Sequence, residues 1–226
     1  MAVTKRIVCL ANSRKHQGRC VAGIDLDSGR WIRPISERPG HEISASERQY
    51  EDGSEPAPLD VLDVPLIGHR PAEVHRENWL LDSGKRWRRA GRMTWDDLLR
   101  FTRDAGPLWI NGHKTSAGLN DFVPGSCQDT LSHSLRLVRA DQVAVKVSPA
   151  HRFASDRRPV VRARFEHAGH AYALKLTDPV QEERYRARGT GSYPLRESIL
   201  TVSLAEEFDD RFYKLVAAII ERPPPS

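Results

Sequence analysis

The chain has little of what marks a secreted scaffold, a membrane span or a familiar enzyme. It carries only 3 cysteines in 226 residues. Cys9, Cys20 and Cys127 are odd in number and widely spaced, which predicts reduced thiols in a cytoplasmic protein and no disulfide framework. No apolar run approaches the roughly 18 residues that cross a bilayer, so no membrane partner is expected. The opening Met1-Ala2-Val3-Thr4-Lys5-Arg6 enters a strand pattern at once, which argues against a signal or transit peptide. There is no phosphate loop of the glycine–lysine kind and no G-x-S-x-G elbow. Cys-x-x-Cys pairs are missing and the 9 histidines are scattered. His16 and Cys20 have no second pair to complete a tetrahedral set, and His167 and His170 read as partners across a turn. No metal and no cofactor is expected, and binding is expected before catalysis.

What is present is a modest excess of base. Lys and Arg number 35 against 30 acids, for a net charge of +5. This leans weakly toward polyanionic partners. The hydrophobic fraction of 39% is enough for one or two packed cores, and 15 glycines with 15 prolines favour many turns and short strands.

The strand signals come in two sets. Arg6–Ala11, Cys20–Leu26 and Trp31–Ile35 form a three-stranded meander, with a polar loop over 12–18 and a tight turn at Ser28-Gly29. Residues 36–58, rich in Ser, Glu, Pro and Gly, read as a long surface loop. Leu59–Leu66 and Glu77–Asp82 return to strand pattern. Thr94 caps a short helix, with Asp97 at its third position. The segment 106–134 has no periodicity and reads as a crossover. The pattern then repeats with Leu135–Val138 and Gln142–Val147. Val160 to Leu176 is the most legible hairpin: a turn at Ala168-Gly169 pairs His167 with His170, Phe165 with Tyr172 and Ala163 with Leu174. Asp178-Pro179 starts a helix that Gly189 stops. Ile199–Leu204 and Phe212–Ile220 close the set as strands. The expectation is a mainly β protein with a few short helices, built as two tandem OB-type small barrels over 1–105 and 135–226. A single mixed α/β domain is the competing architecture.

Three groups of residues are candidates for binding. Asn12, Ser13, Arg14, Lys15 and Arg19 sit where the loop between the first two strands lines the oligonucleotide groove of an OB-type barrel; the alternative is a solvated turn. Trp31 and Arg33 share one strand face, suited to base stacking and phosphate contact, although Leu26 and Ile24 opposite them suit core packing equally. The hairpin register sets Arg162 directly against Lys175, with Arg164 extending the stripe and only Glu166 for relief. Like charges opposite one another destabilise a strand pair. A bound phosphate backbone would offset that cost, and so would an acidic surface elsewhere. Lys85-Arg86-Trp87-Arg88-Arg89 has the composition of a nucleic-acid surface and also that of a charged face over a buried Trp.

The segments Arg6–Lys15, Gly18–Gly23, Trp31–Ile35, Tyr50-Glu51-Asp52-Gly53, Gly118-Leu119-Asn120-Asp121, Thr177-Asp178-Pro179, Leu200–Leu204 and Tyr213–Ile220 together resemble bacterial proteins with the dual OB-containing domain. The resemblance implies two OB folds in tandem and a nucleic-acid or nucleotide connection, and it brings no catalytic residues. Two departures bear on the last hairpin: Ala205-Glu206-Glu207-Phe208 stands where the family tends to Gly-Glu-Pro-Phe, and Phe212 stands where a Cys often precedes the Tyr. The leading expectation is a nucleic-acid-binding module for single-stranded DNA or RNA. One alternative is an enzyme or sensor of a small nucleotide, with Asn120, Asp121, Thr177, Asp178, Ser203 and Lys214 meeting Asn12 and Ser13 in a cleft between the barrels. The other is a protein–protein adaptor in a defence or repair system.

Overall fold

The structure is a computed structural model that describes residues 2–102, 106–150 and 157–224. The chain forms two compact units, Met1–Phe101 with Ser132–Leu135, and Thr102–Leu131 with Arg136–Ser226. The segment read as a crossover is therefore shared out, most of it to the second unit.

The first unit contains β1 (Val3–Lys15), β2 (Gly18–Asp25), β3 (Trp31–Ile35), α1 (Ala45–Arg48), β4 (Asp60–His69), β5 (Asn78–Leu81), β6 (Arg88–Arg92) and α2 (Trp95–Leu98). The sheet order is β1-β2-β3-β5-β4-β6, and β1 also pairs with β4, so five strands close into a barrel. Closure depends on one long strand serving two neighbours. β1 pairs with β4 through Val3–Val8 and with β2 through Ile7–Lys15, and its register shifts between Cys9 and Ala11. An extra residue at such a point bends the strand around the barrel corner. Gly23 faces Cys9 there, and a Cβ on it would collide with the Val8 carbonyl oxygen. Only glycine permits that approach. Alternate residues point inward, so Ile7, Cys9, Val21, Ile32, Leu62, Val64, Leu66 and Leu81 fill the interior with Trp87.

Several expectations for this half are corrected. The polar loop over 12–18 is mostly strand, because β1 runs to Lys15 and only His16 and Gln17 turn. Residues 26–30 form a longer connection than the two-residue turn, and Trp31 faces Ile24 instead of Leu26. The 36–58 segment is not merely a surface loop. Ile43 is fully buried and pairs by backbone with Arg19, and Ser44 and Glu47 form a capping box on α1. β6 was not anticipated, since Arg88–Arg92 carries no apolar alternation. Trp87 is buried, while Arg88 pairs with Asp63 and Lys85 with Asp82, Arg86 donates to the Ser46 carbonyl and Arg89 lies over the Tyr50 ring, so that basic stretch is a partly neutralised face over a core Trp.

The second unit contains β7 (Phe122–Pro124), β8 (Leu135–Ala140), β9 (Val143–Ser148), β10 (Val160–His167), β11 (His170–Leu176), α3 (Pro179–Ala187), β12 (Gly191–Leu195), β13 (Ser198–Glu207) and β14 (Arg211–Glu221). Its path is β12-β9-β10-β11-β14-β13-β8, with β7 on β14. β8 runs into β9 through two residues, and β12 into β13 through two residues. β9 pairs with β12 and β8 with β13. Each couple thus continues the chain from one end of the sheet path to the other. Arg139 and Glu197 form an ion pair between the two couples. In both units the third and fifth barrel strands are parallel, β3 with β5 and β11 with β14.

The Val160–Leu176 hairpin has the register read from the sequence, from His167–His170 to Arg162–Lys175. Ala168 and Gly169 both have positive φ, 49° and 73°, the type I′ geometry that matches strand twist. Asp178 caps α3 by accepting from the Val180 and Gln181 amides, Gly189 ends it at φ 84°, and Thr94 accepts from the Asp97 amide. The last hairpin forms despite its departures, with a register irregularity between Leu204 and Glu207, and Phe212 is fully buried.

Candidate functional site

On β10 the alternation places Val161, Ala163 and Phe165 inside and Arg162, Arg164 and Glu166 outside. β9 contributes Lys146 to the same outer face, because Lys146 pairs with Arg162. Lys175 pairs with Arg162 from the other side. Three cations therefore lie in one row across three neighbouring strands, with side chains roughly 5 Å apart at Cβ. Arg164 follows one pleat repeat further on, about 7 Å along the strand. It is flanked by Ala144 on β9 and Ala173 on β11, so small side chains surround it. Among the described residues none of these four cations is in an ion pair. Burial holds the Arg162 guanidinium below its ordinary pKa; the Asp121 carboxylate works against that and Arg164 adds to it. An arginine stays protonated through such a shift.

Beside this row runs a groove of about 730 Å³. Arg164 and Glu166 line it with Ala144, Ala171 and Ala173, together with the segments 116–119, 141–142 and 194–195. Leu119 is fixed by a backbone bridge to Ala173 and by Asn120, whose amide donates to the Ala171 carbonyl at 2.9 Å.

The six residues expected in a cleft between the barrels all belong to the second unit, where their side chains are engaged internally. Asp121 accepts from the Thr115 amide at 2.8 Å and hydroxyl at 2.6 Å. Lys214 is 1% exposed and donates to the Ile110 carbonyl at 2.7 Å and to Asn111 Oδ1 at 2.9 Å. Desolvation pulls its pKa down to about 7, with Asp121 pulling the other way. Asn111 in turn donates to the Tyr172 hydroxyl at 2.9 Å. Thr177 donates to the Val216 carbonyl, Ser203 to the Leu204 carbonyl, and Asp178 is the helix cap. Asn120, Asp121 and Lys214 thus tie 110–121 to the rest of the second unit.

In the first unit Arg14 is exposed and lies opposite Arg19 across the tight turn. Glu55 feels the charge of Arg19, and the Glu42 side chain lies beside Gly18, so acids accompany these bases. Asn12 donates to the Pro56 carbonyl, and Ser13 is buried. Arg33 is 5% exposed, which removes it from any surface contact with a phosphate backbone. Trp31 is half-buried and borders a separate pocket at the mouth of the barrel. Lys146 is not legible from the sequence because eleven residues separate Ser148 from Val160, too many for a register to be counted. Among the described residues no group of three metal-ligating side chains occurs, and no helix is long and apolar enough to cross a membrane.

A closed five-stranded barrel and a second sheet of the same connectivity, each with a helix after its third strand, are consistent with two OB-type domains in tandem. The chain belongs to the dual OB-containing domain family, whose model matches residues 5–219. No curated protein and no solved structure matches it.

Proposed function

We propose that this protein is a single-stranded nucleic-acid-binding module and that the outer face of β9, β10 and β11 is its principal interface. The observation that carries the reading is the row Lys146, Arg162 and Lys175 with Arg164 beside it, free of ion pairs to described residues. Self-repelling cations on a strand face cost stability unless an anion joins them. β10 and β11 are the second and third strands of their barrel, the face that OB folds use for oligonucleotides. Phosphates along a strand match a row of cations, and the alanines around Arg164 leave room for sugar or base edges. A groove beside the row suits a single strand better than a duplex.

Fluorescence anisotropy with labelled single- and double-stranded DNA and RNA at two salt concentrations tests the reading. Single strands are expected to bind with a log K against log salt slope near −2.8, about −0.7 for each of four cations. Absence of binding at low salt would refute it. A Lys146→Gln/Arg162→Gln/Lys175→Gln variant should lose most of the affinity.

A further inference from the structure

We propose that the mouth of the first barrel is a second and separate site, which takes a nucleobase carrying a phosphate. The pocket has a volume of about 610 Å³, within the roughly 300–1,000 Å³ typical of small-molecule sites. Barrel mouths are common places for such sites. Its lining combines two indoles and an imidazole, Trp31, Trp79 and His69, with Arg30 and Arg76 at the rim.

The aromatic wall is held in place. His69 sits 5.2 Å from Trp79, centroid to centroid, and its Nε2 lies 2.6 Å from the Arg76 carbonyl oxygen. Lys5 approaches the Trp79 ring at 5.8 Å. Trp31, by contrast, has no ring or cation against it among the described residues, so its indole is available as a stacking platform. Every base has a π-face, and stacking on a half-buried indole does not require a particular one.

The charges of the wall are arranged unequally. Its two acids are already engaged: Asp25 with Lys5 at 3.1 Å and the Ser28 hydroxyl at 2.6 Å, and Glu77 with the Ser134 amide at 2.7 Å and hydroxyl at 2.9 Å. Burial alone would raise the Asp25 carboxyl, but Ser28 and Lys5 hold it below its ordinary pKa, so it stays ionised and paired. Arg30 and Arg76 are exposed and make no ion pair with any described residue. A planar, aromatic ligand bearing an anionic group fits this combination of a free indole, paired acids and unpaired guanidiniums. A nucleotide is that ligand, either free or as one residue of a strand. The site does not depend on the second-barrel interface.

Calorimetric titration of the full chain with AMP, GMP, CMP and UMP, the matching nucleosides and inorganic phosphate tests the assignment. Monophosphates are expected to bind. Trp31→Ala should weaken them about ten-fold, in line with the value of one stacked base, and Trp31→Phe should retain most of the affinity. Arg30→Ala/Arg76→Ala, on exposed positions that leave the fold intact, should weaken monophosphates several-fold and leave nucleosides unchanged. Short oligonucleotides with 2-aminopurine at an end or in the middle separate the two sources. Quenching that depends on Trp31 marks a residue of a strand, and mononucleotide binding without it marks a free nucleotide. The Lys146→Gln/Arg162→Gln/Lys175→Gln variant should bind mononucleotides as the parent does. Binding that survives both first-barrel variants, or is lost in the second-barrel variant, overturns the proposal. So does the absence of any mononucleotide heat together with unquenched 2-aminopurine.

Discussion

Arg162→Gln should make the free protein more stable and its complex with a single strand weaker, two effects of opposite sign from one side chain. Arg162 is the central member of a row with Lys146 on one side and Lys175 on the other. Two unit charges roughly 7 Å apart in a water-like dielectric repel by about 0.6 kcal/mol. With a neighbour on each side, Arg162 carries at most about 1.2 kcal/mol of repulsion at low ionic strength. Asp121 attracts it more than Arg164 repels it, while burial of the guanidinium outweighs both. The net gain on neutralisation is then at most about 1 kcal/mol, or a few degrees in Tm for a domain of this size. At 0.15 M salt the Debye length is about 8 Å, so the gain should shrink by half or more. Thermal unfolding of parent and variant at 20 mM and 300 mM salt measures this directly. Pairing it with Lys175→Gln in a double-mutant cycle isolates the repulsive coupling. In binding, the same substitution should reduce the salt slope by about 0.7. A variant that is destabilised equally at both salts, with an unchanged slope, would refute the idea that this row awaits an anion.

Three further outcomes follow from local geometry. Ala168→Asn should stabilise the second barrel by about 0.5–1 kcal/mol in denaturant unfolding, because Asn accepts positive φ more readily than Ala and Asn-Gly is the preferred I′ pair. A loss of stability would show that the turn is not the constraint. Burial alone would raise the Glu47 carboxyl, but the Ser44 hydroxyl and amide and the Ser36 and Ser83 hydroxyls overturn it and lower the pKa from 4.5 to about 2. A depressed carboxylate contributes stability above pH 4.5 and loses it as pH falls toward 2, so Glu47→Gln should flatten acid unfolding in that window. Lys214 follows the same sense in a higher window: its folded pKa of about 7 lies below the ordinary 10.5, so the unfolded chain binds the extra proton between them. Stability of the second barrel should therefore rise with pH from about 7 to 10.5, and Lys214→Met should abolish that rise in melts across the range.

How much of this was legible in the sequence depended on whether a tight turn anchored the count. Ala168-Gly169 fixed the register of a whole hairpin and with it the Arg162–Lys175 contact, because a two-residue turn leaves one pairing per face. Eleven residues separate Ser148 from Val160, too many to count a register across, so the sequence does not place Lys146 beside Arg162. Ser28-Gly29 looked like an anchor, but the connection is five residues long, and counting from it put the wrong residue against Trp31. Caps were legible because Thr94 and Asp178 act within three residues of themselves. Burial of a cation was not legible: Arg33 and Lys214 lie in strands like any other, and only long-range partners such as Ile110 and Asn111 explain Lys214. The aromatic pocket needs Trp31, Trp79 and His69 from three strands, a convergence that barrel closure creates and no local pattern announces.

The two barrels share a connectivity and differ in how their cations are used. In the first, Lys5, Arg6, Arg48, Arg88 and Arg92 each have a carboxylate partner within 3.1 Å, with Asp63 taking two of them. Those bases serve the barrel itself, which is why the richest basic stretch of the sequence, Lys85–Arg89, says little about binding. In the second, Lys146, Arg162, Arg164 and Lys175 on the outer face of β9, β10 and β11 have no ion pair among the described residues, Glu166 is the acid of that face, and the nearby Asp121 is committed to Thr115. Net charge counts both groups alike. A ligand does not, since a paired guanidinium must give up a carboxylate to take a phosphate and an unpaired one gains a partner. The electrostatic contribution to binding should therefore map onto the second barrel even though the first has more cations in ion pairs. In a charge-neutralisation scan read by salt slope, Arg6→Gln, Arg88→Gln and Arg92→Gln should leave the slope unchanged and lower stability. Lys146→Gln, Arg162→Gln and Lys175→Gln should reduce the slope and raise stability. The reverse assignment would show that pairing in the free protein does not decide which cations meet the strand.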